Sequence, residues 1–425
     1  MSTTTLPGAG VDDAELTAIE SAVRADEAAF LADLERLVNT DCGSYTPDGV
    51  DLIGQFVASF MTAHGATVRL VPDPAGRLAQ TVIGTWDGKH GTPGGPRVLL
   101  IGHMDTVFDP GTAAERPFTI DADGIAHGPG VTDMKSGLLA GLYAVRTLVG
   151  PGREPGAPLP FERLTYVANP DEEIGSPSST PHIREIAAES DVCLVLECAR
   201  ANGDIVSSRK GILDARITVQ GRAAHAGVEP EKGRSAVLAA ADLVARFHSL
   251  NDRWDGVTVN VGVIEGGTRP NVVAERCTLQ VDMRAVRRAD LEAVEAEVRS
   301  IIAGPLAVPD VSAELEEMAR WWPMEKLERS GRLVDHAQAL ARRLGFEVRD
   351  AATGGASDAN TTSGMGVASI DGLGPIGGND HSPAEYLEVA SIVPRTALLA
   401  GLLLAIGRDP VVGEWRAAGP MPTGS

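Results

Sequence analysis

Three short apolar runs constrain this 425-residue chain more than any other feature: PRVLLIGH (96–103), LTYVANP (164–170) and DVCLVLE (191–197) each turn polar at their last residues. Runs that are apolar throughout suit strands buried on both faces. Between the first two lies SGLLAGLYAVRTLV, Ser136 to Val149, a helical run rich in Leu and Ala. Ahead of all three, Asp12 to Val38 reads as one amphipathic, charged helical stretch. Strands that alternate with helices imply a mostly parallel sheet covered by helices. Such sheets carry their sites at the carboxyl ends of the strands, so the polar endings are where chemistry is expected.

From residue 212 to 323 the pattern changes. ILDARITVQG alternates as a strand does, Ser235 to Leu250 reads as a helix, and VTVNVGVIEGG and VVAERCTLQVDMRAV read as two strands around a Gly-Gly-Thr-Arg-Pro turn. Asp290 to Ile302 is helical again, and VSAELEEM closes the series as a strand. This β-α-β-β-α-β order is ferredoxin-like. After WWPMEK the first pattern returns, with a helix around Leu333 to Leu344, the turn-rich TGGASDANTTSGMG, the strand-like VASI and a final helix from Ile392 to Ile406. The expected fold class is α/β: one catalytic domain in two parts, 1–211 and 324–425, interrupted by an inserted α+β domain at 212–323. From Arg408 onward, ending in GPMPTGS, the chain reads as a frayed tail.

Charge narrows the partners. With 37 Lys plus Arg against 58 Asp plus Glu, the net charge is −21, and its long-range field repels nucleic acid and anionic membrane alike. An anionic substrate must be drawn in by a local cluster of cations. Cys42, Cys193, Cys198 and Cys277 show no CxxC spacing, which fits a reduced, cytoplasmic protein. The first thirty residues have no basic residue before Arg24 and no continuous apolar core, so no signal peptide is expected there. TALLAGLLLAIG, twelve residues long, is too short to span a bilayer.

Five segments hold candidate chemistry. Gly102-His103-Met104-Asp105-Thr106 follows the apolar VLLI, and side chains two apart on an extended segment share a face. A carboxylate beside an imidazole can hold its tautomer and make it a better metal ligand. Gly128-Pro129-Gly130-Val131-Thr132-Asp133-Met134-Lys135 stands just before a helix, where Asp133 could cap the helix or approach two metals from a flexible turn. Asn169-Pro170-Asp171-Glu172-Glu173 ends another apolar run; three consecutive carboxylates either face solvent or share cations. Glu197 ends DVCLVLE, and His381 lies in GGNDHSPAEY. Each alone has an ordinary structural reading. Together they place imidazoles and carboxylates wherever a parallel strand should end.

GHMDTV, GPGVTDMKSG, NPDEEIGS and the terminal His segment together resemble the M20 family of co-catalytic zinc peptidases, particularly its glutamate carboxypeptidase and acetylornithine deacetylase branch. The resemblance implies zinc ligands at His103, Asp133, Glu173, Glu197 and His381, with two Zn²⁺ per subunit and Co²⁺ or Mn²⁺ as substitutes. One zinc would be held by His103, Asp133 and Glu197, the other by Asp133, Glu173 and His381. Asp105 would orient His103, Glu172 would be the general base, and the Asp133–Met134 peptide would be cis. This agrees with elementary chemistry, since zinc takes nitrogen and carboxylate oxygen ligands and amide hydrolysis needs a carboxylate to move protons.

The resemblance also gives roles to the inserted domain, which becomes a dimerisation and lid domain. His225, in Gly221-Arg222-Ala223-Ala224-His225, would reach the partner subunit's active site and stabilise the oxyanion. Asn271 and Arg284 would grip the substrate's free α-carboxylate, a task suited to a guanidinium fork. Gly355 and Ser357 would lie near the substrate backbone. A homodimer with open and closed states follows. Ser136 departs from the family, where Gly is frequent, and Arg209 and Lys210 are either cations for an acidic side chain or solvated hinge residues. The expected function is a two-zinc, glutamate-carboxypeptidase-like exopeptidase acting on a small peptide or N-acyl amino acid. An N-acyl amino acid deacylase of acetylornithine or desuccinylase type, or a dipeptidase, is the close alternative. A two-metal phosphoesterase is the alternative from another class.

Overall fold

A computed structural model describes residues 6–8, 10–87, 91–150, 158–251 and 253–415. It divides into two compact units. One holds the described residues within Met1–Ser207, Lys326–Ala352 and Ser357–Pro422; the other holds those within Ser208–Glu325 and the short return Thr353–Ala356.

The first unit is built on a six-stranded sheet in the order Thr67–Val71, Thr81–Trp86, Arg163–Asn169, Arg97–His103, Val192–Val195, Ala368–Ile370. The last four strands are parallel, and the first two add antiparallel at one edge. The three apolar runs read from sequence are three of the central strands. Their side chains are buried on both faces, as in Val98, Leu100, Leu164, Tyr166 and Leu194, because helices such as Ser136–Val149 and Ile392–Gly407 cover the sheet. Parallel register sets His103 level with Asn169, so two of the polar endings meet at the carboxyl end of the sheet.

Four expectations are corrected. Asp12 to Val38 is two helices, Asp13–Ala25 and Glu27–Val38; the break falls at Asp26, whose carboxylate is drawn out to Arg146 at 2.8 Å. The turn-rich segment contains the helix Asp358–Gly364, started by a capping box between Ser357 and Asn360. The apolar C-terminal stretch is longer than twelve residues: Val389–Gly407 spans 19 residues at mean hydropathy 2.0, long and apolar enough to cross a membrane by length and composition. Of its 18-residue apolar window, 83% is nonetheless buried within the protein, and its Arg395 donates to the carbonyls of Gly203, Gly372 and Gly374, which identifies a core helix. Finally, the chain from Arg408 to Trp415 is ordered, with Arg408 paired to Glu15 and Asp409 to Arg332; the expected frayed end, 416–425, lies outside the described residues.

The second unit is a four-stranded antiparallel sheet in the order Thr258–Gly266, Arg276–Ala285, Gly211–Gln220, Ser312–Trp321. Helices Ala236–His248 and Arg288–Ala303 share its core with Leu213, Ile217 and Leu279. Alternate residues of Gly211–Gln220 are buried, which is the period-2 signal of a sheet covered on one side. The element order and sheet order are those of a ferredoxin-like unit.

Candidate metal centre

The carboxyl ends of the parallel strands bring His103, Asp105, Asp133, Glu172, Glu173, Glu197 and His381 together. Asp133 is the hub. Its Oδ1 lies 3.1 Å from His103 Nε2 and its Oδ2 lies 3.1 Å from His381 Nε2. Glu197 Oε1 is 3.8 Å from the same His103 nitrogen, and Glu173 Oε2 is 3.0 Å from His381 Nε2. Ligand atoms of His103, Asp133 and Glu173 lie within 4.8 Å of one another, as do those of His103, Glu172 and Glu197. The Asp133–Met134 peptide is cis.

Each side chain is fixed from below. His103 Nδ1 lies 3.0 Å from the main-chain carbonyl of Asp105 and 3.4 Å from its carboxylate, so Nε2 is turned toward Asp133. Asp105 is fully buried and accepts hydrogen bonds from Ser44 Oγ and from the backbone N–H groups of Glu172 and Glu173. One carboxylate thus holds both the imidazole and the turn that carries the two glutamates. Asp171 neither faces solvent nor shares the centre: it is buried and accepts from Ser178 N, Ser179 N and Ser179 Oγ. His381 sits at φ 60°, a left-handed conformation uncommon outside Gly and worth a functional explanation.

The electrostatics are those of a donor set that needs cations. Burial opposes a charged His103, but the hydrogen bonds to Asp105 and Asp133 and the Glu197 charge outweigh it and hold the imidazole well above its ordinary range. Asp133 and Glu173 raise His381 to about 11. Burial, then the Glu197 charge, pushes the Glu172 carboxyl well above the usual carboxylate range, and burial raises Glu173 as well. Burial also works on Asp133, but its hydrogen bonds to His103 and His381 win and hold it low. Glu173 Oε1 is buried without a hydrogen-bond partner among the described residues. Nitrogen and carboxylate donors in this arrangement, with one buried oxygen left over, fit divalent metal of the zinc type.

Other predicted residues fall in the second unit. The turns of His225 and Asn271 pair there through a His225–Val272 bridge and the Ala226 N–H to Asn271 carbonyl bond; both residues are exposed. Arg284 is side-on to Asp282, with Nε and Nη2 donating at 3.0 Å, and its Nη1 donates to the Gly354 carbonyl at 2.9 Å. The Gly355 carbonyl accepts from Arg209, so Arg209 is a buried strut and not a solvated cation. Ser357, in the first unit, does not present its hydroxyl: it is buried, donates to Asp371 Oδ2 at 2.6 Å and caps the following helix.

Sequence reasoning missed Glu385. Buried, it accepts hydrogen bonds from the backbone N–H groups of Gly130, Thr132 and Asp133, and burial raises it to about 7 against their pull. Its signal was a lone acid four residues after His381. Lys135, also buried, donates to the Pro129 and Thr40 carbonyls.

Residues 99–405 match the model of peptidase family M20/M25/M40. Carboxypeptidase G2 of Pseudomonas sp. (strain RS-16) is 30% identical over 389 residues, 90% of each chain. A succinyl-diaminopimelate desuccinylase of Leptothrix cholodnii is 26% identical over 372 residues, 83% of this chain and 92% of the relative. Among solved structures, an M20 family metallo-carboxypeptidase from Sulfolobus solfataricus superposes with a TM-score of 0.69 at 15% identity, covering 89% of this chain and 99% of that one. With a family model across most of its length and a relative at 30% identity over 90% of it, the chain belongs to peptidase family M20/M25/M40 and is a metallohydrolase of the M20 type.

Proposed function

We propose that the protein is a two-zinc exopeptidase of the glutamate-carboxypeptidase kind, hydrolysing the amide bond that joins an acyl or aminoacyl group to a C-terminal amino acid. The observation that carries this reading is Asp133, whose two oxygens each lie 3.1 Å from a different imidazole. A carboxylate so placed can bridge two cations, with His103 and Glu197 on one side and Glu173 and His381 on the other. When bound, the metal ions supply Lewis acidity and make water a competent nucleophile near neutral pH.

Glu172 takes the proton from that water and passes it to the leaving amine. Asp105 keeps it in place through its backbone N–H. Asn271 and Arg284 receive the substrate's α-carboxylate. Of the five guanidinium N–H donors, the bonds to Asp282 and Gly354 use one each on Nε, Nη2 and Nη1, so each Nη keeps one for a carboxylate. His225 donates to the oxyanion in the neighbouring subunit of a homodimer. The edge strand Thr258–Gly266, with Val263 and Ile264 exposed, supports pairing of that kind. Four free, buried cysteines support a reducing compartment such as the cytoplasm.

The similarity to carboxypeptidase G2 supports the exopeptidase reading. Similarity to desuccinylases supports a second, N-acyl amino acid deacylation at the same centre. A panel of dipeptides and N-acyl amino acids with varied C-terminal residues, assayed with Zn²⁺, Mn²⁺ and Co²⁺, separates the two. Turnover confined to succinyl or acetyl amides would replace the first reading by the second, and turnover of substrates lacking a free α-carboxylate would overturn both.

A further inference from the structure

We propose that Glu385 is a positioning residue that locks the Asp133 loop onto the segment carrying His381, and so sets how tightly the centre holds metal. The inference rests on the two-metal reading above.

The loop it holds is intrinsically loose. Gly128 and Gly130 take φ of 142° and 71°, values open to Gly at little cost, and Gly loses more freedom on ordering than any other residue. Glu385 opposes this with both of its oxygens. Oε2 accepts from Gly130 N at 2.8 Å, and Oε1 accepts from Thr132 N at 2.9 Å and Asp133 N at 3.0 Å. The carboxylate is 1% exposed, so water does not compete for these bonds, and bonds to a carboxylate are stronger than neutral ones.

Chain connectivity makes the clamp specific. Glu385 is four residues beyond His381, at the foot of the hairpin that pairs Gly377–Gly378 with Tyr386–Glu388. The second arm of that hairpin pairs with Ile125–His127, which leads directly into the Asp133 loop. A Cβ on Gly377 would lie 2.0 Å from Thr132 Oγ1, so the hairpin and the loop are already in close contact. One side chain therefore ties two proposed ligands, Asp133 and His381, that lie far apart in sequence.

The test is the affinity of the full-length chain for Zn²⁺ alone, by competition with a chromogenic chelator, together with the melting temperature of the metal-free protein. Glu385→Ala should weaken zinc binding by about 10- to 100-fold, the usual effect of removing a group that holds ligands in place. Glu385→Gln keeps an oxygen toward Thr132 and Asp133 but turns an amide N–H₂ toward the Gly130 N–H; losing one backbone bond should cost about fivefold. If Glu385→Ala does not fold, Glu385→Gln decides. Unchanged zinc affinity in the variants overturns the proposal, even with a lower melting temperature, because that pattern marks a part of the scaffold only. A wild-type chain that takes up no zinc removes the two-metal reading and this inference together, whereas zinc-binding wild type with unaffected variants removes only the inference.

Discussion

Oε2 of Glu173 lies 3.0 Å from Nε2 of His381, while its other oxygen is buried without a hydrogen-bond partner among the described residues. A buried oxygen left unsatisfied costs about 1–3 kcal/mol, and more when charged, so a cation that takes it up should stabilise the fold. Zinc at one hundred times its dissociation constant should add about 2.7 kcal/mol. Melting curves recorded after chelator dialysis and after re-addition of Zn²⁺ should differ by several degrees, and superimposable curves would remove the metal centre.

Glu172 is the proposed proton carrier, and Asp105 fixes its backbone. Glu172→Gln removes the basic oxygen and leaves the proposed ligands untouched. It should retain zinc by elemental analysis while kcat falls about 10²- to 10⁴-fold. Activity near wild type would assign the base elsewhere.

Arg284, the residue proposed to receive the α-carboxylate, is paired with Asp282, which holds the guanidinium side-on. Asp282→Asn turns an N–H₂ toward that guanidinium and frees it to swing. KM for substrates with a free α-carboxylate should rise about tenfold with kcat little changed, the pattern of lost ground-state and transition-state binding alike. An unchanged KM, measured beside Arg284→Ala as the control, would show that the pairing does not position the fork.

His336 Nδ1 accepts from the Gly8 N–H at 2.9 Å and Nε2 faces Asp409 Oδ2 at 2.8 Å. A proton on Nδ1 would collide with that N–H, and burial lowers the imidazole pKa despite Asp409. A base whose folded pKa lies below its unfolded value of about 6.5 contributes stability that is whole above that pH and drains away as pH falls through the folded pKa. Asp409 is also depressed, since its hydrogen bonds to Arg332 and His336 outweigh its burial, but its share is lost only in stronger acid. Between pH 8 and pH 5 the melting temperature should fall less in His336→Gln than in wild type; parallel curves would clear His336 of the effect.

Much of the centre was legible because its residues sit where a sheet has to end. His103 and Asp105 follow VLLI, Glu172 and Glu173 follow LTYVANP, and the alternation of strand and helix fixes which end is which. Glu385 was not legible, because its side-chain partners are backbone N–H groups of Gly130, Thr132 and Asp133, more than 250 residues upstream in each case. Backbone donors leave no residue-type signature. The helix Asp358–Gly364 did leave one, Ser357 with Asn360 three residues on, but the neighbouring glycines drew the reading toward a turn. The break at Asp26 coincides with a pairing to Arg146, a contact no local window contains. Arg395 interrupted the apolar count of the last helix, and only the three carbonyls around it show why a charge is tolerated there.

The first unit is assembled from chain segments on either side of the second, and this orders events in time. During synthesis His103, Asp133, Glu173 and Glu197 leave the ribosome first, and His381 follows only after about 180 further residues, roughly 10 to 40 s later at 5–20 residues per second. Through that interval the nascent chain carries the acids without their second imidazole and without Glu385. Completion of the centre is therefore tied to completion of the chain, and a polypeptide released early carries a half-built site however well its first strands have formed.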